Sequence, residues 1–266
     1  MGRIAQKFEE LQAQGMKAFI AYITAGDPSL DSTERLVREF EARGVDIIEL
    51  GVPFSDPVAD GPVNQEAAMR ALKGDVTVDS ILKMIRNIRE YSQIPVIFFT
   101  YYNSVLSFGL EKFVKKATES GLDGALVLDL PPEEAGQYKK LMDAEGLSTI
   151  FLVSPITPSD RLELVAKNAT GFVYYVSQMG VTGERDNLAE SIPEKLQAIR
   201  ALTSTPIAVG FGISTPEHVR GISRYADGII VGSSIVRKIG ELSGKPGFEK
   251  EVGEYVATLT EPLKGD

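Results

Sequence analysis

The sequence predicts an α/β fold, a (β/α)8 barrel that takes in the whole chain, residues 1–266, as a single domain. Three observations lead to this prediction. Eight short apolar runs follow one another along the chain, a helical pattern follows each run, and no linker, low-complexity stretch or change of composition divides the sequence. Eight β-then-α units within about 250 residues are what such a barrel requires.

The predicted strands are short runs rich in Val, Ile, Phe and Ala. Each run is almost continuously apolar, which is typical of parallel strands that are covered on both faces. The eight strands are Ala18–Thr24, Val45–Leu50, Pro95–Thr100, Gly124–Asp129, Thr149–Val153, Gly171–Ser177, Pro206–Phe211 and Gly228–Val231.

Helical patterns fill the intervals between the strands. Capping-box spacings at Asp31–Glu34 and Ser214–Glu217 predict helix starts, and Gly44, Gly121 and Gly146 predict helix ends. The predicted helices are Ser32–Arg43, Val78–Tyr91, Leu110–Ser120, Pro132–Glu145, Ser159–Lys167, Ile192–Leu202, Pro216–Arg224 and a last one from Ser234 onward.

Three segments lie outside the eightfold pattern. Arg3–Gln14 predicts an extra amphipathic N-terminal helix, which would be able to plug the bottom of the barrel. Long loops follow the second and sixth strands, at Gly51–Thr77 and Gln178–Ser191, and the first of them contains a short helix near Pro62–Leu72. Both loops leave the C-terminal ends of strands, where barrel enzymes hold their active sites.

The main alternative is an open, doubly wound sheet. That fold usually carries a Gly-x-Gly-x-x-Gly turn after its first strand. The turn here, Ala25–Pro28, lacks this spacing, and Gly210–Gly212 has only two of the three glycines and comes late in the chain. The sequence therefore favours the closed barrel.

Composition excludes several classes of function. A net charge of −9 argues against a nucleic-acid partner, and no apolar window is long enough for a transmembrane helix. The chain has no cysteine, which excludes disulfides, thiolate zinc sites and a cysteine nucleophile. The N-terminus also lacks the apolar core of a signal peptide, so we expect a cytoplasmic protein.

Two carboxylates are candidates for catalysis. Glu49 lies at the end of a buried strand, and Asp60 follows in a loop stiffened by Pro53, Pro57 and Pro62. A buried carboxylate without a partner is costly, and its pKa shifts, which suits a general acid or base. The ordinary alternative is a capped strand end followed by a solvated acidic loop.

Glycine-rich segments after the last strands predict a phosphate site. Gly210–Ser214 follows the seventh strand, and Val231–Ser234 follows the eighth and precedes a helix. Backbone N–H groups at such a helix start bind anions without needing Lys or Arg. Gly180–Gly183 after the sixth strand adds to this pattern, although ordinary β-to-α turns also favour Gly and Ser.

The absence of certain catalytic residues excludes further reaction mechanisms. No lysine ends a strand, which disfavours a Schiff-base aldolase, and the only histidine, His218, cannot form a zinc site or a Ser–His triad by itself. No metal is expected. Carboxylate acid–base chemistry on a phosphorylated small molecule remains. Six aromatic residues near strand ends are candidate pocket residues, of which we expect two or three to touch a ligand: Tyr22, Phe54, Tyr101, Tyr102, Tyr174 and Phe211.

Over nearly its whole length the chain resembles the α subunit of tryptophan synthase. The longest and most specific matching motif is IELGVPFSDPVADGP, Ile48–Pro62. The other matching motifs are Thr24–Pro28, Asp129–Pro131, Gly180–Gly183, Gly210–Ser214 and Val231–Ser233. The resemblance implies a (β/α)8 (TIM) barrel that cleaves indole-3-glycerol phosphate to indole and glyceraldehyde 3-phosphate in tryptophan biosynthesis.

The resemblance also assigns roles to residues. It implies that Glu49 and Asp60 are catalytic. By the same resemblance, the indole pocket is formed by Tyr22, Phe99 and Tyr101, the active-site loops are ordered by Tyr174 and Thr182, and phosphate is bound at Gly183, Gly212, Gly232 and Ser233. The pair Gln178 and Met179 departs from the Arg or Thr residues more usual before Gly180.

The resemblance implies a partner as well. Family members pair with a β subunit that carries pyridoxal phosphate (PLP), usually as an αββα assembly, and the α subunit itself needs no cofactor. The loop around Asp56 and the segment Asn103–Phe108 are the expected interface. Two other interpretations stay open from the sequence: a weakly catalytic subunit that mainly activates its partner, and a stand-alone lyase that releases indole.

Overall fold

Eight parallel strands close into a barrel in which each strand pairs with its sequence neighbours and β8 pairs with β1. The computed structural model describes residues 2–176, 185–210 and 212–264, with side chains described except at 185–191. The strands are β1 Ala18–Thr24, β2 Ile47–Gly51, β3 Val96–Thr100, β4 Gly124–Val127, β5 Ser148–Val153, β6 Val173–Val176, β7 Ile207–Gly210 and β8 Gly228–Val231. The predicted barrel is confirmed, and strand ends differ from the predicted ones by up to two residues.

Helices surround the barrel, and a short 3-10 turn, Glu261–Leu263, ends the described chain. The helices are α1 Arg3–Ala13, α2 Leu30–Ala42, α3 Pro62–Leu72, α4 Val78–Arg89, α5 Tyr102–Phe108, α6 Leu110–Ser120, α7 Gly136–Ala144, α8 Ser159–Asn168, α9 Arg185–Arg200, α10 Pro216–Ser223, α11 Ser233–Leu242 and α12 Phe248–Thr260. Among the described residues, no helix is long and apolar enough to cross a membrane.

Several predicted helix boundaries were wrong. Helix α9 begins at Arg185, seven residues before the predicted start, because Leu188–Glu190 are good helix formers that carry no apolar periodicity. Helix α7 begins at Gly136 and not at Pro132, since hydrogen-bonded turns occupy the intervening residues. The predicted last helix is two helices, separated at Gly247, where φ is +72°.

Three further local details differ from the prediction. Helix α10 is capped by Thr215, whose side chain accepts a hydrogen bond from the His218 N–H, and not by Ser214. Helix α2 is capped by Ser29, whose side chain accepts a hydrogen bond from the Ser32 N–H, and not by Asp31. Helix α5 was not predicted because it is only seven residues long, and Gly109, with φ of +93°, separates it from α6. The positive φ of Gly44, Gly121 and Gly146 agrees with the predicted helix ends.

Alternation along the strands sorts side chains between two cores. Side chains such as Ile20 and Ile47 fill the inside of the barrel, whereas Phe19 and Ile48 pack outward against the helices. Helix α1 joins the inner core through Ile4, Phe8 and Leu11, and the Phe8 and Phe172 ring centroids are 6.1 Å apart. The predicted plug at the bottom of the barrel is therefore confirmed.

A repeated hydrogen-bond exchange closes the bottom of the barrel. A polar side chain in the turn before each even-numbered strand accepts from a backbone N–H near the start of the preceding strand, and its own N–H donates to the carbonyl of that residue. The side-chain bonds run from Phe19 to Asp46 (2.8 Å), Val96 to Asp123 (2.8 Å), Thr149 to Thr170 (2.8 Å) and Ile207 to Asp227 (2.9 Å).

Candidate active site

Glu49 points into the barrel because it follows Ile47 by two residues on β2, and alternate strand residues share a face. In the register of the sheet it pairs with Tyr22 on β1 and Ile97 on β3. Glu49 is 0% exposed, and neither carboxylate oxygen has a hydrogen-bond partner among the described residues. Burial, with a smaller contribution from the negative charge of Asp60, raises the pKa of Glu49 to about 8. This carboxyl group is therefore largely protonated at neutral pH.

Asp60 lies half-buried in the loop between β2 and α3, and its oxygens have donors. The Tyr101 hydroxyl donates to one oxygen at 2.8 Å, and the Asn64 amide lies 3.5 Å from the other. The Tyr101 hydroxyl also accepts from the Ala59 N–H at 2.9 Å. Burial raises the pKa of Asp60, and the Tyr101 and Asn64 donors reduce that rise. Compared with Glu49, Asp60 is the better candidate for a charged acceptor.

The loop that carries Asp60 is fixed at both ends. The Phe54 ring stacks on Tyr101 with centroids 5.1 Å apart, and Pro62 occupies the first turn of α3. At the far end of α3, the Arg70 guanidinium makes two hydrogen bonds of 2.8 Å to Asp27, which is buried in the loop after β1. These contacts hold Asp60 near Glu49 without a direct bond between them.

The two carboxylates face one cavity of about 430 Å³. Its apolar wall contains Tyr22 and Phe99, whose rings meet edge to face with centroids 5.1 Å apart. Gly51 gives Tyr22 room, since a Cβ there would overlap the Tyr22 hydroxyl. Tyr174 lies against Gly210 in the same way. The cavity has the size and mixed lining that suit a small aromatic ligand with polar ends.

Another part of the cavity wall contains the predicted phosphate cradle. Gly212 has φ of +73°, a conformation that favours glycine. Helix α11 begins directly after Gly232, and no side chain caps its first N–H groups. Ser233 and Ser234 line the cavity there, and the buried Ser234 hydroxyl has no partner among the described residues. The arrangement offers donors and a helix N-terminus to an anion.

The structure brings most of the predicted site residues together. The cavity is lined by Tyr22, Glu49, Asp60, Phe99, Tyr174, Gly212, Gly232 and Ser233. Tyr101 does not line the cavity, but its hydroxyl donates a hydrogen bond to Asp60, which does. Of the six candidate aromatic residues, Tyr22 and Tyr174 line the cavity, whereas Phe54 packs on Tyr101 and Tyr102 packs on Tyr138. The remaining predictions fall outside the described residues: Phe211, the pair Gln178 and Met179, and the segment Gly180–Gly183, which includes Thr182.

Two polar side chains of the cavity wall lie outside the motifs that the sequence analysis singled out. Asn64 lies one helical turn beyond Asp60, and Arg237 lies one turn beyond Ser233 on α11. For Arg237 the signal was present in the sequence, because residues four apart on a helix share a face, whereas Asp60 precedes α3 and gives no such signal for Asn64. Among the described residues, no group of three or more acidic or histidine side chains could hold a metal ion.

Comparison with known proteins decides the family. The sequence profile described as tryptophan synthase alpha chain matches residues 8–263. This chain belongs to that family. Tryptophan synthase alpha chains from Opitutus terrae and Geotalea daltonii are 48% and 45% identical to it. The matches span 92% of each chain for the first, and 99% of this chain and 98% of the relative for the second.

Solved structures of tryptophan synthase agree with this assignment. The alpha subunit from Legionella pneumophila is 35% identical, with a TM-score of 0.91 over 99% of this chain and 98% of that one. The tryptophan synthase α2β2 complex of the hyperthermophile Pyrococcus furiosus contains a chain that is 37% identical, with a TM-score of 0.84 over 92% of this chain and 99% of that one. Tryptophan synthase alpha chains are lyases that cleave indole-3-glycerol phosphate, and PLP belongs to the β subunit.

Proposed function

We propose that this chain cleaves indole-3-glycerol phosphate to indole and glyceraldehyde 3-phosphate, with Glu49 and Asp60 as its acid–base residues. The observation that carries the proposal is Glu49, a fully buried carboxyl group without a described partner, on a cavity that also holds Asp60 and a phosphate cradle. A carboxyl group with a pKa near 8 is a proton donor at neutral pH, and this is what the first step needs.

In the proposed first step, Glu49 donates its proton to the indole ring carbon that bears the glycerol side chain. The ring becomes an indolenine cation whose N–H donates to Asp60. This electron-poor ring serves the purpose that a lysine Schiff base serves in other aldolases. The raised pKa of Glu49 favours proton donation, and the hydroxyl donor on Asp60 keeps that carboxylate ready to accept a hydrogen bond.

In the second step, the Glu49 carboxylate removes the proton from the adjacent side-chain hydroxyl. The oxygen forms a carbonyl, the carbon–carbon bond breaks, and its electron pair returns to the ring to restore indole. Glyceraldehyde 3-phosphate leaves with the new aldehyde. Glu49 gives one proton and regains one, so it ends the cycle in its starting state. The positioned proton transfers contribute about 10²–10⁴-fold each.

The cavity walls suit the two halves of this substrate. The rings of Tyr22, Phe99 and Tyr174 would surround the indole. The phosphate would lie against Gly212, Gly232 and the start of α11 at Ser233, where uncapped N–H groups and the helix dipole favour an anion. Phe211, Thr182 and Gly183 remain proposed members of the site by resemblance.

The chain would work as one barrel domain in the cytoplasm, with a PLP-containing β subunit in an αββα assembly. Two exposed apolar side chains near the site support a docking face: Val58 is 88% exposed in the Asp60 loop, and Leu106 is 52% exposed on α5. Both follow strand ends on the same side of the barrel. A partner bound there would contact the loop that carries Asp60.

The test is the rate of indole release by the parent, Glu49→Gln and Asp46→Asn, alone and mixed with a tryptophan synthase β subunit. We expect Glu49→Gln to lower turnover by at least about 10³-fold, because the amide can neither give nor take the proton. Asp46→Asn removes a partly buried carboxylate from the bottom of the same barrel and should turn over like the parent. The parent rate should rise on mixing.

Near-parental turnover by Glu49→Gln would remove Glu49 from the chemistry. Absence of indole release by the parent, alone and mixed, would contradict the proposed reaction. If mixing with the β subunit changed neither the rate of indole release nor the mass of the complex, the proposed partner would be wrong.

A further inference from the structure

Arg237 lies on the wall of the active-site cavity at the end that contains the phosphate cradle. It lies on α11 one helical turn after Ser233, so the two residues share a helix face. Among the described residues that line the cavity, it is the only cationic one. Its side chain is exposed, and it forms no ion pair or hydrogen bond with the described part of the chain.

Two other cations at this helix have acidic partners. Lys238, the next residue, lies 3.9 Å from Glu241, and Arg70, which packs against Gly240 on α11, is bonded to Asp27. The chain has 37 acidic residues against 28 basic ones, so acidic partners are plentiful. Arg237 has no described acidic partner and lies beside a cradle for anions, so its charge is available to a ligand in the cavity.

The charges of the cavity show what that ligand requires. A phosphate monoester carries about −1.5 to −2 charges at pH 7 and would enter a cavity that already contains the Asp60 carboxylate. The uncapped N–H groups of α11 supply only partial positive charge, equivalent to about half an elementary charge. Arg237 would add a full positive charge at the same end.

We propose that Arg237 recognises the phosphate of the substrate and orients it as it enters, so that the phosphate meets α11 while the indole end turns toward Glu49. This role rests on the proposed function, since it assumes a phosphorylated substrate. Charges at the rim of a site act mainly on association and on its dependence on salt. Arg237 therefore acts on KM, whereas Glu49 and Asp60 act on kcat.

The experiment compares the parent with Arg237→Gln, Arg237→Lys and the matched control Lys238→Gln, which removes the same charge from the next residue. The readouts are kcat and KM at about 10 mM and about 1 M salt. Inhibition by inorganic phosphate and by indole, the product without phosphate, is measured as well. Calorimetry of inorganic phosphate binding gives a readout that does not depend on turnover.

For Arg237→Gln at low salt we expect KM to rise about fivefold, with kcat within about twofold of the parent. Inhibition by inorganic phosphate should weaken by a similar factor, and inhibition by indole should stay unchanged. At high salt the KM of Arg237→Gln should approach the KM of the parent. Arg237→Lys and Lys238→Gln should resemble the parent.

Equal KM changes in Arg237→Gln and Lys238→Gln would overturn the proposal, because the effect would then be one of net charge. A fall in kcat together with weaker indole inhibition would also overturn it, since that pattern indicates structural damage. If the parent does not cleave the substrate, the proposed function fails, and the phosphate calorimetry still decides the role of Arg237.

Discussion

Buried carboxylates at the two ends of the barrel have opposite hydrogen-bonding environments. At the bottom, Asp123 accepts hydrogen bonds from the Val96 N–H at 2.8 Å, from Arg89 at 2.8 Å and from Arg3 at 2.9 Å. At the top, Glu49 is buried at least as deeply and has no described partner. Both carboxylates are buried, so burial alone does not explain the difference. The number of hydrogen-bond donors around a carboxylate decides whether it stabilises the barrel or remains reactive.

Two carboxylates are intermediate between these extremes. Asp46 at the bottom accepts from the Phe19 N–H, yet burial still raises its pKa. Asp60 at the top has the Tyr101 hydroxyl and the more distant Asn64 amide, and its pKa is also raised by burial. The pattern follows the general division of such barrels, with stability at the bottom and chemistry at the top.

The largest expected effect on stability is at Asp123. Asp123→Ala should lower the free energy of unfolding by about 3–5 kcal/mol, because it leaves the Arg89 guanidinium partly buried without its carboxylate. Turnover per folded molecule should stay near that of the parent, since Asp123 lies at the far end from the cavity. Urea unfolding together with active-site titration measures both quantities.

Asp143→Ala is the control for that change. Asp143 pairs with Lys139 at 2.7 Å but is half-exposed, so its loss should cost less than about 1 kcal/mol. If Asp123→Ala unfolded as easily as this control, or if it lost turnover while folded, the separation of stability from chemistry between the two ends would be wrong.

A smaller effect is expected at Tyr101. Tyr101→Phe removes the hydroxyl that donates to Asp60, and we expect kcat to fall by about tenfold. Without this donor the pKa of Asp60 rises further, so the acid limb of the pH profile of kcat/KM should move to higher pH. Tyr102→Phe is the matched control, since the Tyr102 ring packs on Tyr138. Identical acid limbs in Tyr101→Phe and the parent would show that the hydroxyl does not tune Asp60.

Much of the fold could be predicted from the sequence because its signals are local. Parallel strands buried on both faces give continuous apolar runs, and glycines such as Gly121 end helices at a positive φ. The predicted helix boundaries were wrong where those local signals are absent. Helix α9 starts in a polar stretch before Ile192, and α5 is too short to show periodicity.

The candidate site was predictable in its members but not in its energetics. The motif around Glu49 and Asp60 identified both residues, whereas their different donors depend on Tyr101, which is distant in sequence. The sequence also gave no measure of cavity charge, so the cradle was predicted to need no cation and Arg237 was missed. Donor counts and net cavity charge arise from tertiary contacts, which a single sequence does not show.

The central claim is that Glu49 is kept protonated by burial without donors, at a cost to stability. Its folded pKa of about 8 lies above the ordinary 4.5. As pH rises through that range, the unfolded chain loses this proton before the folded one does, so the parent loses stability. Glu49→Gln cannot lose the proton and avoids this cost.

The most direct test is the free energy of unfolding of the parent and Glu49→Gln from pH 4.5 to pH 8. We predict that the variant gains stability relative to the parent steadily across this range, reaching a few kcal/mol at the upper end. Any fixed cost of the buried amide shifts the whole curve and leaves the slope intact. Parallel curves for the two proteins would show that Glu49 is ionised at neutral pH, and this would contradict the account.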